Sequence, residues 1–248
     1  MMVHGESTLR WDRHGWLSVV GCNGLGSIQG AAGLGSEQSV WRAESALTSG
    51  ATQAAGAEQS DSISRELRVR HCPSPNYDTR VDDEAPYLLV IHNISLPPYV
   101  FGGPYIEQLF TNCLEVDRHP FFKEIAHLRV SAHFLIRRDG EIVQFVSADK
   151  RAWHAGVSQF EGREACNNFS IGIEMEGSDF EPFCDAQYQA LAVLSKALRE
   201  RYTLRAVRGH EHIAPVRKTD PGPFFDWQRY RREAGWSWRV LPGLGRRA

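Results

Sequence analysis

The chain has 248 residues, with 28 Lys and Arg against 30 Asp and Glu and a hydrophobic content of 42%. That size suits one domain with a tail, and the near-average composition excludes wholesale disorder and a collagen-like repeat. A formal net charge of -2 gives no electrostatic case for nucleic acid or an anionic membrane as partner, and no long apolar run is present to span a bilayer.

Residues 1–66 read as a flexible, low-complexity extension. Arg10 and Arg13 precede an apolar run beginning at Trp16 and ending at Cys22. The run is shorter than the ~7–15 residues of a secretory signal core, and Asp12 and His14 interrupt its approach. From Gly21 to Ser64, Gly, Ala, Ser and Gln dominate, with few large side chains to offset the entropy of ordering. A short helix around Glu37–Leu47 is the one element expected in that stretch. A chain starting near Glu66 is therefore expected to fold and to keep its activity.

Residues 67–235 have a different character. Tyr87–Ile91 is a continuous apolar run, as in a strand buried on both faces. A helix is expected near Ile106–Thr111. Ala132–Ile136 and Glu141–Val146 flank Arg138-Asp139-Gly140, a hairpin signal. Ser170–Glu176 alternates Ile171, Ile173 and Met175 with Gly172, Glu174 and Glu176, the period of a strand. Asp185 is placed as the N-cap of a helix whose stripe is Tyr188, Leu191, Ala192, Leu194 and Leu198. Another helix is expected over Asp226–Glu233, followed by a loose basic tail over 236–248. Strands interleaved with helices predict an α/β fold, a central mixed β-sheet flanked by helices in a single domain. The five cysteines (Cys22, Cys72, Cys113, Cys166, Cys184) are odd in number and lack a CxxC spacing, which suits a reducing cytoplasm.

His92 closes the run Leu88–Ile91, at a strand end where sites form in α/β sheets. A buried core histidine is the competing reading. Gly209-His210-Glu211-His212 leads to Lys218-Thr219-Asp220-Pro221-Gly222-Pro223, a stiffened polar loop. Two His and a carboxylate with an open position would suit catalytic zinc, while a solvated loop is the alternative. His212 should point away from His210, as alternate residues of an extended segment do. Glu174 sits among apolar neighbours, either as a general base or on a solvated face with Glu176. Trp153-His154-Ala155-Gly156 and Arg163 could contact a sugar ring or a carboxylate, or Trp153 could belong to the core.

Several segments together carry a specific resemblance: Pro73–Asp78, Val90–Pro98, Ala126–His133, Leu135–Gln144, Arg151–Ser158, Phe169–Glu174 and Arg217–Pro223. In order, they resemble the cytosolic 1,6-anhydro-N-acetylmuramoyl-L-alanine amidases of peptidoglycan recycling (the AmpD type). The resemblance covers roughly 71–233. It implies zinc (Zn2+) held by His92, His210 and Asp220, with Glu174 as the essential glutamate and Lys218 stabilising the transition state. It further implies muropeptide contacts from Asn93, Arg129, Trp153 and Arg163. Ala165 stands where a second arginine is expected in relatives. The activity implied is hydrolysis of the amide between anhydro-N-acetylmuramic acid and L-alanine, by a cytoplasmic enzyme, a monomer with no nucleic acid or membrane partner. An envelope amidase acting on polymeric peptidoglycan and a muropeptide-binding module that does not cut are the alternatives.

Overall fold

The computed structural model describes residues 8–20 and 67–243. Its first half contains β1 (Thr8–Trp11), β2 (Leu17–Val20), β3 (Val69–His71), β4 (Tyr77–Asp78), β5 (Leu88–Ile94), α1 (Tyr105–Phe110) and α2 (Pro120–Ile125). Then follow β6 (Phe134–Ile136), β7 (Ile142–Gln144), β8 (Arg151–Ala152), β9 (Gln159–Phe160), β10 (Arg163–Glu164), β11 (Ser170–Glu176), α3 (Asp185–Arg201), β12 (Ala206–Gly209), α4 (His210–Ile213) and α5 (Trp227–Ala234).

The central sheet has six strands in the order β12-β5-β11-β6-β7-β3. All its pairings are parallel except the β6–β7 hairpin, so the sheet is mixed, as expected for an α/β fold. Gly140 turns that hairpin at a positive φ of 87°, the backbone region open to glycine without strain. The sheet is buried on both faces, and β6 shows why its sequence is continuously apolar. Phe134 and Ile136 join one cluster with Ile91, Ile173 and the α3 residues Leu191, Leu194 and Leu198. Leu135, between them, joins the opposite cluster with Ile106 and Phe110 of α1 and Phe122 of α2. Deep burial of each such side chain contributes roughly 1.5–3 kcal/mol.

Helix ends differ slightly from the sequence expectation. Asp185 is the first residue of α3 and Cys184 is its cap; the Gln187 side chain accepts the Cys184 N–H at 3.0 Å. Asp226 caps α5 by accepting the Arg229 N–H at 2.9 Å. Strand β5 continues through His92 to Ile94, so His92 lies inside the strand rather than at its end.

Residues 8–20 and 236–241 are more integrated than their composition suggests. Residues 8–20 are a hairpin packed on the domain, not part of a separate extension. Leu17 is completely buried in the α3-side core. Its N–H donates to Gln144 Oε1 at 2.8 Å, and Gln144 Nε2 donates to the Gly15 carbonyl at 2.8 Å. Trp11 Nε1 donates to the Ala197 carbonyl of α3 at 3.0 Å. Trp16 lies against His71 of β3, with ring centroids 4.9 Å apart, so β2 and β3 are neighbours. Composition misled here because Leu9, Trp11 and Leu17, few as they are, all pack against the α3-side core. Likewise Trp236 and Leu241 are buried, and Val207 N–H of β12 donates to the Val240 carbonyl at 2.9 Å. The segment after α5 is therefore anchored through Leu241. The helix expected around Glu37–Leu47 lies outside the described residues.

Candidate active site

The parallel register places Glu174 of β11 directly beside His92 of β5, with Leu135 of β6 on the other side. Registered neighbours share a face, so the site lies on the α1/α2 side of the sheet. Gly209 of β12 pairs with Ile91, and His210 follows at the start of α4. The segment from Gly209 to Ile213 is thus a strand end and a helical turn rather than a loop. A Cβ on Gly209 would lie 2.6 Å from Pro221 Cδ, so only glycine lets the Asp220 loop close over this junction. The Asp220 carbonyl accepts the Glu211 N–H at 2.9 Å, which ties the loop down.

Three donor atoms converge. His92 Nδ1 is 3.1 Å from His210 Nδ1 and 2.9 Å from Asp220 Oδ2, and His210 Nδ1 is 3.1 Å from the same oxygen. Ligands at ~2.0–2.2 Å from a tetrahedral zinc stand roughly 3.3–3.6 Å apart, so the triangle needs only slight expansion to hold an ion. Burial holds His92 down to about 4, the neutral imidazole that coordinates metal. Burial alone would raise Asp220, but hydrogen bonds with His210 and His92 carry it well below the usual carboxylate range. Two imidazole nitrogens and one ionised carboxylate oxygen are the donor set of a zinc site. Among the described residues, these three form the one metal-capable group.

Glu174 is buried, and its Oε2 has no hydrogen-bond partner among the described residues. Burial first, then the Asp220 charge, pushes this carboxyl well above the ordinary range, while Lys218 pulls it down. The field of Lys218 also reaches His92. His92, His210, Asp220, Glu174 and Lys218 therefore gather in one place. His212 points elsewhere, as expected, but for a different reason. It occupies the third position of α4, where its Nδ1 accepts the Gly209 N–H at 3.1 Å and its ring meets Trp227 edge-on.

The residues named for substrate contact divide. Asn93 Nδ2 donates to Asp179 Oδ1 at 2.7 Å and to the Pro221 carbonyl at 3.1 Å, so it fastens the Asp220 loop. Arg163 is paired through both guanidinium nitrogens with Glu84 and lies over the Phe169 ring, 4.3 Å from its centroid. Arg129 is exposed and donates to the Ala126 and Leu128 carbonyls of its own loop. Trp153 adjoins the site through its neighbour His154, which meets His92. Arg217, singled out by no sequence signal, donates to the Ala155 and Val157 carbonyls at 2.9 and 2.6 Å. It binds the 155–157 segment to the loop that carries Asp220.

This chain belongs to the N-acetylmuramoyl-L-alanine amidase family, whose model matches residues 82–223. It is an enzyme of that class, a hydrolase of an amide bond. The chain is 65% identical over 165 residues to the 1,6-anhydro-N-acetylmuramyl-L-alanine amidase AmpD of Escherichia coli (strain K12), covering 66% of this chain and 90% of that protein. To the N-acetylmuramoyl-L-alanine amidase AmiD of the same organism it is 39% identical over 153 residues, covering 54% and 55%. A crystal structure of a selenomethionine AmpD derivative superposes with a TM-score of 0.66 at 62% identity, covering 67% of this chain and 94% of that one.

Proposed function

We propose that this enzyme hydrolyses the amide between 1,6-anhydro-N-acetylmuramic acid and L-alanine in muropeptides during peptidoglycan recycling in the cytoplasm. The observation that carries the reading is the convergence of His92 Nδ1, His210 Nδ1 and Asp220 Oδ2 beside the unpartnered oxygen of Glu174. The three ligand atoms would hold zinc, which when bound supplies Lewis acidity and makes water a nucleophile near neutral pH. Glu174 takes a proton from the attacking water. Its raised pKa lets it hold that proton and return it to the alanine nitrogen, which leaves as an amine. Lys218 offsets the negative charge that develops on the carbonyl oxygen. Asn93, Asp179 and Arg217 keep the Asp220 loop seated against β5 and β12.

Two features weigh against the alternatives. Leu17–Val20, the main described part of the apolar run that an exported enzyme would lean on, forms β2 in the folded body. All five residues that chemistry requires stand together, which a binding module would not need. The test is digestion of anhydro-muropeptide and of intact sacculi by the purified protein, with and without chelator, read by mass spectrometry. Release of free stem peptide from anhydro-muropeptide alone, abolished by chelator, is expected. Preferential cleavage of sacculi would replace the recycling reading with the envelope one.

A further inference from the structure

Behind each histidine of the triangle, on the side away from the converging nitrogens, lies a second contact. His210 Nε2 is 3.0 Å from the Ala155 carbonyl oxygen. A carbonyl can only accept, so His210 carries a proton on Nε2, which leaves Nδ1 as the atom that can ligate a metal. His92 Nε2 is 2.9 Å from His154 Nδ1, and His154 Nε2 is 3.2 Å from Ser170 Oγ. The His154 ring is closely held. Its own N–H and that of Ala155 donate to Asn167 Oδ1, at 3.2 and 2.8 Å. On the facing strand a Cβ at Gly172 would lie 2.5 Å from His154 Cγ, so glycine at 172 makes the room in which the ring sits.

We propose that His154 is a positioning residue for His92: it accepts the His92 Nε2 proton, donates its own Nε2 proton to Ser170, and so keeps the His92 Nδ1 lone pair aimed at His210 and Asp220. The proposal rests on reading those three residues as a zinc site. An imidazole accepts on one nitrogen only while its proton sits on the other, and Ser170 is the partner that keeps it there. Ala155, the next residue, performs the same service for His210 through its backbone. One dipeptide thereby sets the tautomers of both histidine ligands, and Arg217 clamps it by donating to the same Ala155 carbonyl. Partners of this kind fix ring orientation and ligand basicity, and their loss costs roughly 10–100-fold in metal affinity.

The experiment measures zinc affinity of the full-length apoprotein by competition with a chromophoric chelator, alongside the visible spectrum of the cobalt-substituted protein. His154→Leu removes the acceptor; His154→Asn keeps an acceptor oxygen near the position of Nδ1. His154→Leu is expected to weaken zinc roughly 10–100-fold and to alter the cobalt spectrum, with His154→Asn closer to wild type in both. Melting of the metal-free proteins separates this effect from misfolding. Equal zinc affinity in His154→Leu and wild type would overturn the proposal. So would equal loss in His154→Leu and His154→Asn, since the ring's bulk would then matter and its acceptor atom would not. If His154→Leu does not fold, Ser170→Ala decides, because it leaves the ring in place: a severalfold loss of zinc affinity supports the relay, and no loss overturns it. Failure of the wild-type protein to bind zinc would overturn the metal reading and this proposal together, and is seen before any variant is made.

Discussion

Glu174 and Glu176 project from the same face of β11, and only one of them is satisfied. Glu176 accepts from Gly102 N–H at 2.7 Å, Arg137 at 2.9 Å and Arg138 N–H at 3.2 Å. Glu174, two residues earlier, is also buried but leaves Oε2 without a partner among the described residues, beside the His92–His210–Asp220 triangle. A buried carboxylate oxygen left unpaired is costly, and a site that uses it for proton transfer accounts for it. Glu174→Ala is therefore expected to lower kcat by ~10²–10⁴-fold while zinc stays bound. Glu176→Ala should instead lower stability, because it strands the Gly102 and Arg138 backbone N–H groups and takes from Arg137 one of its two carboxylate partners. Metal content, kcat and melting temperature of both variants check the division.

His210→Ala should lose metal and activity together, since two remaining ligands make a poor zinc site. Metal analysis of the purified variant, beside Glu174→Ala, settles the roles. If Glu174→Ala loses zinc while His210→Ala keeps it, ligand and base are exchanged.

Lys218→Ala should lower kcat by on the order of 10²–10³-fold, the loss typical of one oxyanion donor, with KM little changed. Steady-state kinetics on an anhydro-muropeptide provides the check. A variant that raises KM alone would make Lys218 a substrate-binding group instead.

His133 gives a pH dependence with a definite sign. It is completely buried, its Nδ1 accepts the Gly172 N–H at 3.0 Å and its Nε2 faces the Lys150 carbonyl at 3.0 Å. Burial, with Arg80 nearby, holds it down to about 3. The unfolded chain takes up a proton near pH ~6.5 and the folded one does not. Stability from this group is thus complete above ~6.5 and is lost as pH falls toward 3, by at most ~1.4 kcal/mol per pH unit. Urea unfolding at pH 7.5 and 5 should show the fall, and His133→Gln should flatten it.

Removing residues 1–66 should destabilise the protein, against the expectation from composition. Leu17 is fully enclosed, and truncating such a side chain to Ala costs ~2–5 kcal/mol. Replacing only 21–66 with a short linker should leave stability near that of the full chain. Chemical unfolding of the two deletions and of Leu17→Ala makes the comparison.

Much of the sheet was legible because its strands are long apolar runs: Ser170–Glu176 and the Asp139-Gly140 hairpin stand where periodicity and turn chemistry put them. The five clustered residues were each singled out by residue type and placement, and segment resemblance joined them into one site, since nothing local to His92 or Asp220 reports that they meet across 128 positions. The roles of Asn93, Arg163 and Arg217 were illegible for the same reason. Each is fixed by a partner far along the chain: Asp179, Glu84 and the Ala155 carbonyl. The hairpin at 8–20 was missed because its inward side chains are few, and average composition does not register where they point.

The seating of β2 against His71 bears on what a single backbone cut would do. A protein nicked once between Val20 and Leu67 would be two polypeptides on a denaturing gel. The short fragment would still carry Leu17 in the core, the Gln144 bonds on either side of it and Trp11 against α3. The two pieces should elute as one particle and part only on denaturation. The fragment containing Thr8–Val20, supplied separately, should then act as a complementing peptide for a chain that begins after it.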